Sequence, residues 1–222
     1  MQRHGHVVLG VAGGRTTFQG LAAMRQVLCE QGGSLGHVHI LQLEVPVGRS
    51  PELDTAFANL VRTHVQPGTD LPEAQIHSFE DAGASGDEIR QRMAARLASL
   101  GGLTIALLGI GTNAHVAAIE PAAALPLAPF VSQLTAETMR HVPADMQASG
   151  LVVTAGIGDL MRADEVIVAA AGAGKAAAVA SLGLGVVDPR LPVTMFLAHR
   201  RAQFLFDQPA YAELAKCAPT RV

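Results

Sequence analysis

Tryptophan is absent from the 222-residue chain, tyrosine occurs once, and aromatic residues together make up only 4%. A core therefore has to be filled by Ala, Val and Leu, and so many small side chains favour close contact between helices and a sheet. Apolar residues nonetheless reach 49%. That is enough for a packed interior, and the length suits one domain over residues 1–222. Cysteine is nearly as scarce. Cys29 and Cys217 are too few and too far apart for a disulfide framework or a zinc site, and they fit a reducing, cytoplasmic setting. Basic runs are missing too: the net charge is −3 and Arg200-Arg201 is an isolated pair, which argues against nucleic acid as a partner. The opening MQRHGHVVLG has no apolar stretch before a small-residue cleavage site, so no secretory leader is expected. The longest apolar stretch, Val166 to Val187, carries Lys175 near its middle. A central lysine costs about 2.5–3.5 kcal/mol in a membrane span, so this stretch reads as a buried strand, a glycine turn and a small-residue helix, with no membrane as partner.

What is present is an alternation. Short apolar runs, His6–Val11, His37–Leu43, Leu103–Leu108, Leu151–Thr154, Glu165–Ala170, Thr194–Ala198 and Gln203–Phe206, read as strands. Between them lie helical patterns over Thr16–Gln31, Pro51–Val65 and Ser85–Leu100, a short helix after Gly158, a longer one from Gly174, and a last one over Pro209–Lys216. Ser85 with Glu88 three residues on is a capping-box spacing. The pattern predicts an α/β fold, doubly wound, with a mostly parallel sheet and helices on both faces, Rossmann-like in outline. Ligands bind at the carboxyl ends of the strands in such sheets. The chemistry is therefore expected in the loops after Val11, Leu43, Leu108 and Ala170.

Those loops hold the informative residues. Gly13-Gly14-Arg15-Thr16-Thr17 follows the first strand and opens a helix, where backbone amides, hydroxyls and the Arg15 charge suit an anion. An ordinary strand-to-helix turn fits the same residues equally well. Gly109-Ile110-Gly111-Thr112-Asn113-Ala114 matches a dinucleotide fingerprint, but Glu120-Pro121 interrupts the long helix that such a loop needs. Gly174-Lys175 lacks both the first glycine and the Ser or Thr of a P-loop, which excludes an NTPase. His4, His6, His37 and His39 form two His-x-His pairs without a third ligand at a telling spacing, so no metal is expected. His115 and Glu120 lie five residues apart, about 140° around a helix. They converge only if the backbone between them is irregular.

The stretch Gly109-Ile110-Gly111-Thr112-Asn113-Ala114-His115-Val116-Ala117-Ala118-Ile119-Glu120-Pro121 resembles the active-site signature of glucosamine-6-phosphate isomerases/deaminases, Gly-x-Gly-x-Asp-Gly-His-Ile-Ala-Phe-Asn-Glu-Pro. Four further segments resemble that family in the same order: Gly13-Gly14, Leu43–Gly48, Val153–Gly158 and Gly172–Ala176. So do Leu197–His199 and Asp207–Pro209 near the C-terminus. The resemblance implies a sugar-phosphate isomerase type of fold and a small phosphorylated sugar as partner. It implies phosphate on the Gly13-Gly14 loop and Lys175, with Arg15 and Thr16 beside them. It also implies ring opening by His115 with Glu120, and proton transfer between C1 and C2 by Glu44. Ammonia leaves when the sugar carries an amine, and no cofactor or metal takes part.

Three departures bear on activity. Asn113 stands where the family has aspartate, and an amide is no base. Glu44 replaces a second aspartate, and Val45-Pro46 replaces the Glu-Tyr that follows it. Together they imply weak or absent deamination, or a binding and sensing role in place of turnover. The related 6-phosphogluconolactonases share the fold and an Asp-Gly-His loop but usually lack the following Glu-Pro. The sequence leaves monomer and homo-oligomer both open.

Overall fold

The computed structural model describes residues 5–142 and 149–217. Six strands form one parallel sheet: β1 (Val7–Val11), β2 (Val38–Gln42), β4 (Ile76–His77), β5 (Ile105–Gly109), β8 (Glu165–Ala170) and β9 (Ala202–Phe206). Their order is β4-β2-β1-β5-β8-β9. The remaining three, β3 (Glu44–Pro46), β6 (Phe130–Gln133) and β7 (Leu151–Thr154), form a small antiparallel sheet in the order β3-β7-β6.

The large sheet is covered on both faces over its central strands, as parallel sheets are, while Gln203 and Leu205 of the edge strand β9 are exposed. Along each strand alternate residues point to opposite sides. Leu9, Val11 and Ile40 pack with Phe18, Leu21 and Val61, which come from α1 (Arg15–Gln31) and α2 (Phe57–His64). Val8, Leu41, Ala106 and Leu108 pack on the other face with Ile89, Met93 and Leu97 of α3 (Gly86–Ser99). The α3 N-terminus is closed by the expected capping box, with Ser85 Oγ accepting from the Glu88 amide and the Glu88 carboxylate accepting from the Ser85 amide. The expected doubly wound fold is thus present. Chain order runs outward from β1 on one side and from β5 on the other, so the direction of winding reverses between these two strands. A crevice at their carboxyl ends is the usual ligand position in such sheets.

Three expectations need correction, and one expected strand lies in the smaller sheet. Leu151–Thr154 is a strand, but it is the centre of the antiparallel sheet. Thr194–Ala198 is not a strand: Pro192–Ala198 is a 3₁₀ helix with proline at its start, and Thr194 Oγ1 bonds the Leu191 and Asp188 carbonyls. Proline lacks the amide a ladder needs, and the threonine hydroxyl satisfies the turn carbonyls instead. The helix expected over Pro51–Val65 starts only at Phe57. The helix expected from Gly174 is broken into a 3₁₀ turn (Ala173–Lys175), a short α6 (Ala176–Ala180) and a second 3₁₀ turn ending at the left-handed Gly185. Among the described residues, no helix is long and apolar enough to cross a membrane. Helix α4 (Ala136–Met139) packs Met139 against Ala118, Leu134 and Val152, α5 (Ile157–Met161) follows β7 and buries Ile157 and Leu160 in the main core, and α7 (Gln208–Cys217) closes the described chain.

Candidate active site

The loop after β5 makes two backbone excursions that a regular helix would not. Ala114 and Ala117 both adopt left-handed conformations, with φ of 69° and 48°. These turns fold residues 111–119 into a compact knot, closed by the Gly111 amide on the His115 carbonyl and the Ile119 amide on the Val116 carbonyl. Val116 and Ile119 anchor it in the core. His115 Nδ1 comes to 3.9 Å from Glu120 Oε1, the convergence that helical spacing forbids. The imidazole lies flat over Gly111, where any Cβ would enter the ring.

Asn113 stands between the two groups. Its Oδ1 is 2.7 Å from His115 Nδ1, and its Nδ2 donates to Glu120 Oε2 at 2.7 Å. Thr135 and Thr138, at the N-terminus of α4, complete the cluster. Thr138 Oγ1 is 3.3 Å from His115 Nδ1, and Thr135 Oγ1 donates to Glu120 Oε2 at 3.2 Å. Neither threonine stands out in the sequence. The only signal for them is the Thr-x-x-Thr spacing of a helix cap, and Thr135 does cap α4 by accepting from the Thr138 amide.

Glu44 opens β3 instead of lying in a loop. It pairs across the small sheet with Thr154, whose hydroxyl accepts the Ala118 amide at 3.3 Å. One residue of β7 therefore touches both the strand that carries Glu44 and the loop that carries His115. The Glu44 carboxyl folds back on the first glycine loop and accepts the Gly13 amide. A Cβ on residue 13 would lie 2.8 Å from Glu44 Oε1, so glycine at this position is what admits the longer acid. Burial pushes the Glu44 carboxyl up to about 7, against a smaller downward effect of the Gly13 hydrogen bond. Burial likewise holds His115 below its ordinary value, with the Lys175 charge adding to the effect and Glu120 opposing it. Lys175 is itself lowered by burial.

At the first loop, Gly13, Gly14 and Arg15 are exposed and Thr16 is half-buried. Gly14 has φ of 126°, and no side chain caps α1, so the first amides of a 17-residue helix face outward unpaired by a cap. Thr17 turns inward, donating to the Ala12 and Gly14 carbonyls. Lys175 ends the 3₁₀ turn after β8, a turn fixed by the Gly172 amide on the Asp207 carboxylate.

Among the described residues, no group of three His, Cys, Asp or Glu is placed to hold an ion. His39 instead bonds His77, 2.9 Å between Nδ1 and Nε2, and meets His6 edge-on. His4 lies outside the described residues.

Comparison with known proteins adds the following. Residues 1–205 match the family model of glucosamine-6-phosphate isomerases and 6-phosphogluconolactonases. A glucosamine-6-phosphate deaminase of Clostridium perfringens is 27% identical over 227 residues, covering 97% of this chain and 90% of the relative. One of Shouchella clausii is 27% identical over 214 residues, covering 95% and 87%. Among solved structures, a monomeric glucosamine-6-phosphate deaminase superposes with a TM-score of 0.85 at 21% identity, covering 96% of this chain and 90% of that one. The 6-phosphogluconolactonase of Trypanosoma brucei superposes at 0.68 with 20% identity, covering 94% and 86%.

Proposed function

We propose that this chain, which belongs to the family of glucosamine-6-phosphate isomerases and 6-phosphogluconolactonases, binds a phosphorylated amino sugar and carries out ring opening and aldose–ketose isomerisation with release of ammonia. The observation that carries the reading is the joining of His115 to Glu120 through Asn113, in a loop that follows β5. The phosphate sits against the open amides of Gly14–Thr16, where the helix dipole favours negative charge, with Lys175 and Arg15 supplying cations. His115 takes the proton of the anomeric hydroxyl, the bond from C1 to the ring oxygen breaks, and the ring oxygen receives that proton. Glu44 then removes the C2 proton and returns it to C1, while the C1 carbonyl oxygen gains a proton and the C2 amine gives one up. The resulting C2 imine takes up water and releases ammonia. A carboxyl poised at about 7 suits this back-and-forth transfer.

Deaminase chemistry is favoured over lactone hydrolysis by the Glu120-Pro121 pair and by the deaminase relatives, which match nearly the whole chain. A second reading is a sugar-phosphate binder with slow chemistry, and Asn113 favours it because an amide stabilises an imidazolium less than a carboxylate does.

The test is a panel of hexose and hexosamine phosphates, measured for binding by calorimetry and for ketose and ammonia formation. Turnover confined to a hexosamine 6-phosphate supports the first reading. Tight binding without product supports the second. Lys175→Ala should weaken binding at least tenfold in either case, and no binding of any sugar phosphate by the natural protein refutes both.

A further inference from the structure

The polarity of the hydrogen bonds around Asn113 follows from its neighbours. A carboxamide has one end that only donates and one that only accepts. The Glu120 Oε2 atom, 2.7 Å away, accepts from Nδ2. The opposite end, Oδ1, accepts the backbone amide of His115 at 3.2 Å. Turning the amide over would set an oxygen against a carboxylate and an NH₂ against an N–H, so both neighbours enforce the same orientation. His115 Nδ1, 2.7 Å from the same Oδ1, must then carry its hydrogen. Thr138 Oγ1 at 3.3 Å has a lone pair for the same hydrogen. In a neutral ring the remaining nitrogen, Nε2, is bare.

We propose that Asn113 is a positioning residue of fixed polarity, which locks His115 in the tautomer with hydrogen on Nδ1 and donates to Glu120 Oε2. The loop then presents two proton acceptors to a ligand, His115 Nε2 and Glu120 Oε1. Among the described residues, Glu120 Oε1 is buried and has no hydrogen-bond partner. This goes beyond the functional reading, and rests on it only in holding that the sugar meets these two atoms. The charged and titratable groups that act on His115 are Glu120 and Glu137, which favour the imidazolium, and Lys175 and His141, which oppose it. Burial outweighs them and keeps the ring neutral at lower pH than a free histidine.

One consequence concerns ring opening. The loop offers no acid of its own, so the proton that reaches the ring oxygen is the one His115 Nε2 has just taken from the anomeric hydroxyl. A second consequence concerns aspartate at position 113. It would face Glu120 across the short gap that Asn113 Nδ2 now fills, and two carboxylates so close share one proton. The amide avoids that coupling and keeps the tautomer of an aspartate–histidine pair.

The experiment is long-range ¹H–¹⁵N correlation spectroscopy of the ligand-free full chain with labelled histidine, followed through a pH titration. The natural protein should show His115 as one neutral tautomer, protonated at Nδ1. Asn113→Asp should keep that tautomer and shift the His115 midpoint, because the carboxylate pair it forms with Glu120 titrates jointly with the ring. Asn113→Leu should lose the preference. A His115 ring protonated at Nε2 or mixed between tautomers in the natural protein overturns the proposal. So does an unchanged midpoint in Asn113→Asp. Should Asn113→Leu fail to fold, the other two proteins still decide. Because no substrate is present, a locked tautomer in a protein that turns over no sugar phosphate would sink the functional reading and leave this one standing.

Discussion

Replacing Gly13 by alanine separates the chemistry from the fold. The new Cβ would stand 2.8 Å from Glu44 Oε1. Ordinary contact between such atoms needs roughly 3.5 Å, so the carboxyl must retreat by about 0.7 Å. The contact is with the far end of a flexible side chain, so the retreat is cheap for stability. Gly13 is also not among the glycines with positive φ. Alanine there should therefore gain about 0.4–1 kcal/mol from a stiffer unfolded chain. Catalysis has no such tolerance, because a misplacement of about 1 Å costs on the order of a hundredfold. The expectation is a kcat lowered roughly ten- to a hundredfold, or about 1.4–2.7 kcal/mol in barrier, with an unchanged or slightly raised melting temperature. The assay pairs ammonia release from glucosamine 6-phosphate with thermal unfolding. An unaltered kcat would show that Glu44 is not the base or is not held by Gly13. A collapse of the melting temperature would show that the carboxyl cannot yield as argued.

Three further predictions concern neighbouring groups. Gly111→Ala drives a methyl into the His115 ring, so turnover should vanish while binding of the phosphate end persists, a split that calorimetry and kinetics together resolve. The Glu44 carboxyl is raised from 4.5 to about 7, so the folded protein holds a proton that the unfolded chain has lost between those values. Its contribution to stability is therefore full below about 4.5 and lost as pH rises through 7, a change of at most about 3 kcal/mol. Over the same rise Glu44 becomes competent as a base and the rate should climb; Glu44→Gln should flatten both trends. Arg49 and Glu80 form an ion pair with side chains 0% and 2% exposed, and Glu80 also accepts the Phe57 amide that begins α2. Glu80→Ala should cost about 3–5 kcal/mol in denaturant unfolding, since it strands a buried charge.

The parts of this molecule legible in its sequence are those fixed by local chemistry. Ser85 and Glu88 announce their cap because both partners lie within one turn. Glu165–Ala170 reads as a strand because a short apolar run beside a glycine turn suits a buried parallel strand. The small antiparallel sheet escaped notice because its strands are three or four residues long and one contains Pro46, which is tolerated only because β3 is an edge strand. Thr194–Ala198 misled because a short apolar run does not distinguish strand from helix. At the candidate site, residue types were legible but relations were not. Nothing in the spacing of Gly13 and Glu44 shows that one makes room for the other, since that depends on β1 and β3 meeting in space. Thr135 and Thr138 were hidden for the same reason.

The left-handed turn at Ala114 has an implication for how this protein can change. A backbone with φ of 69° at a residue bearing a Cβ costs about 1–2 kcal/mol, and the family signature has glycine at the corresponding place. Every alanine codon becomes a glycine codon by one nucleotide substitution. Against that strain stand the extra chain entropy of glycine, about 0.5–1 kcal/mol, and the loss of the buried Ala114 methyl, about 0.8 kcal/mol, so the exchange comes out near neutral. The chain can thus pass between a strained and a relaxed turn beneath His115 by a single point mutation at little cost to stability. Ala114→Gly should therefore drift freely in a population selected only for folding, and any bias at this position under selection for activity reports on the site and not on the fold.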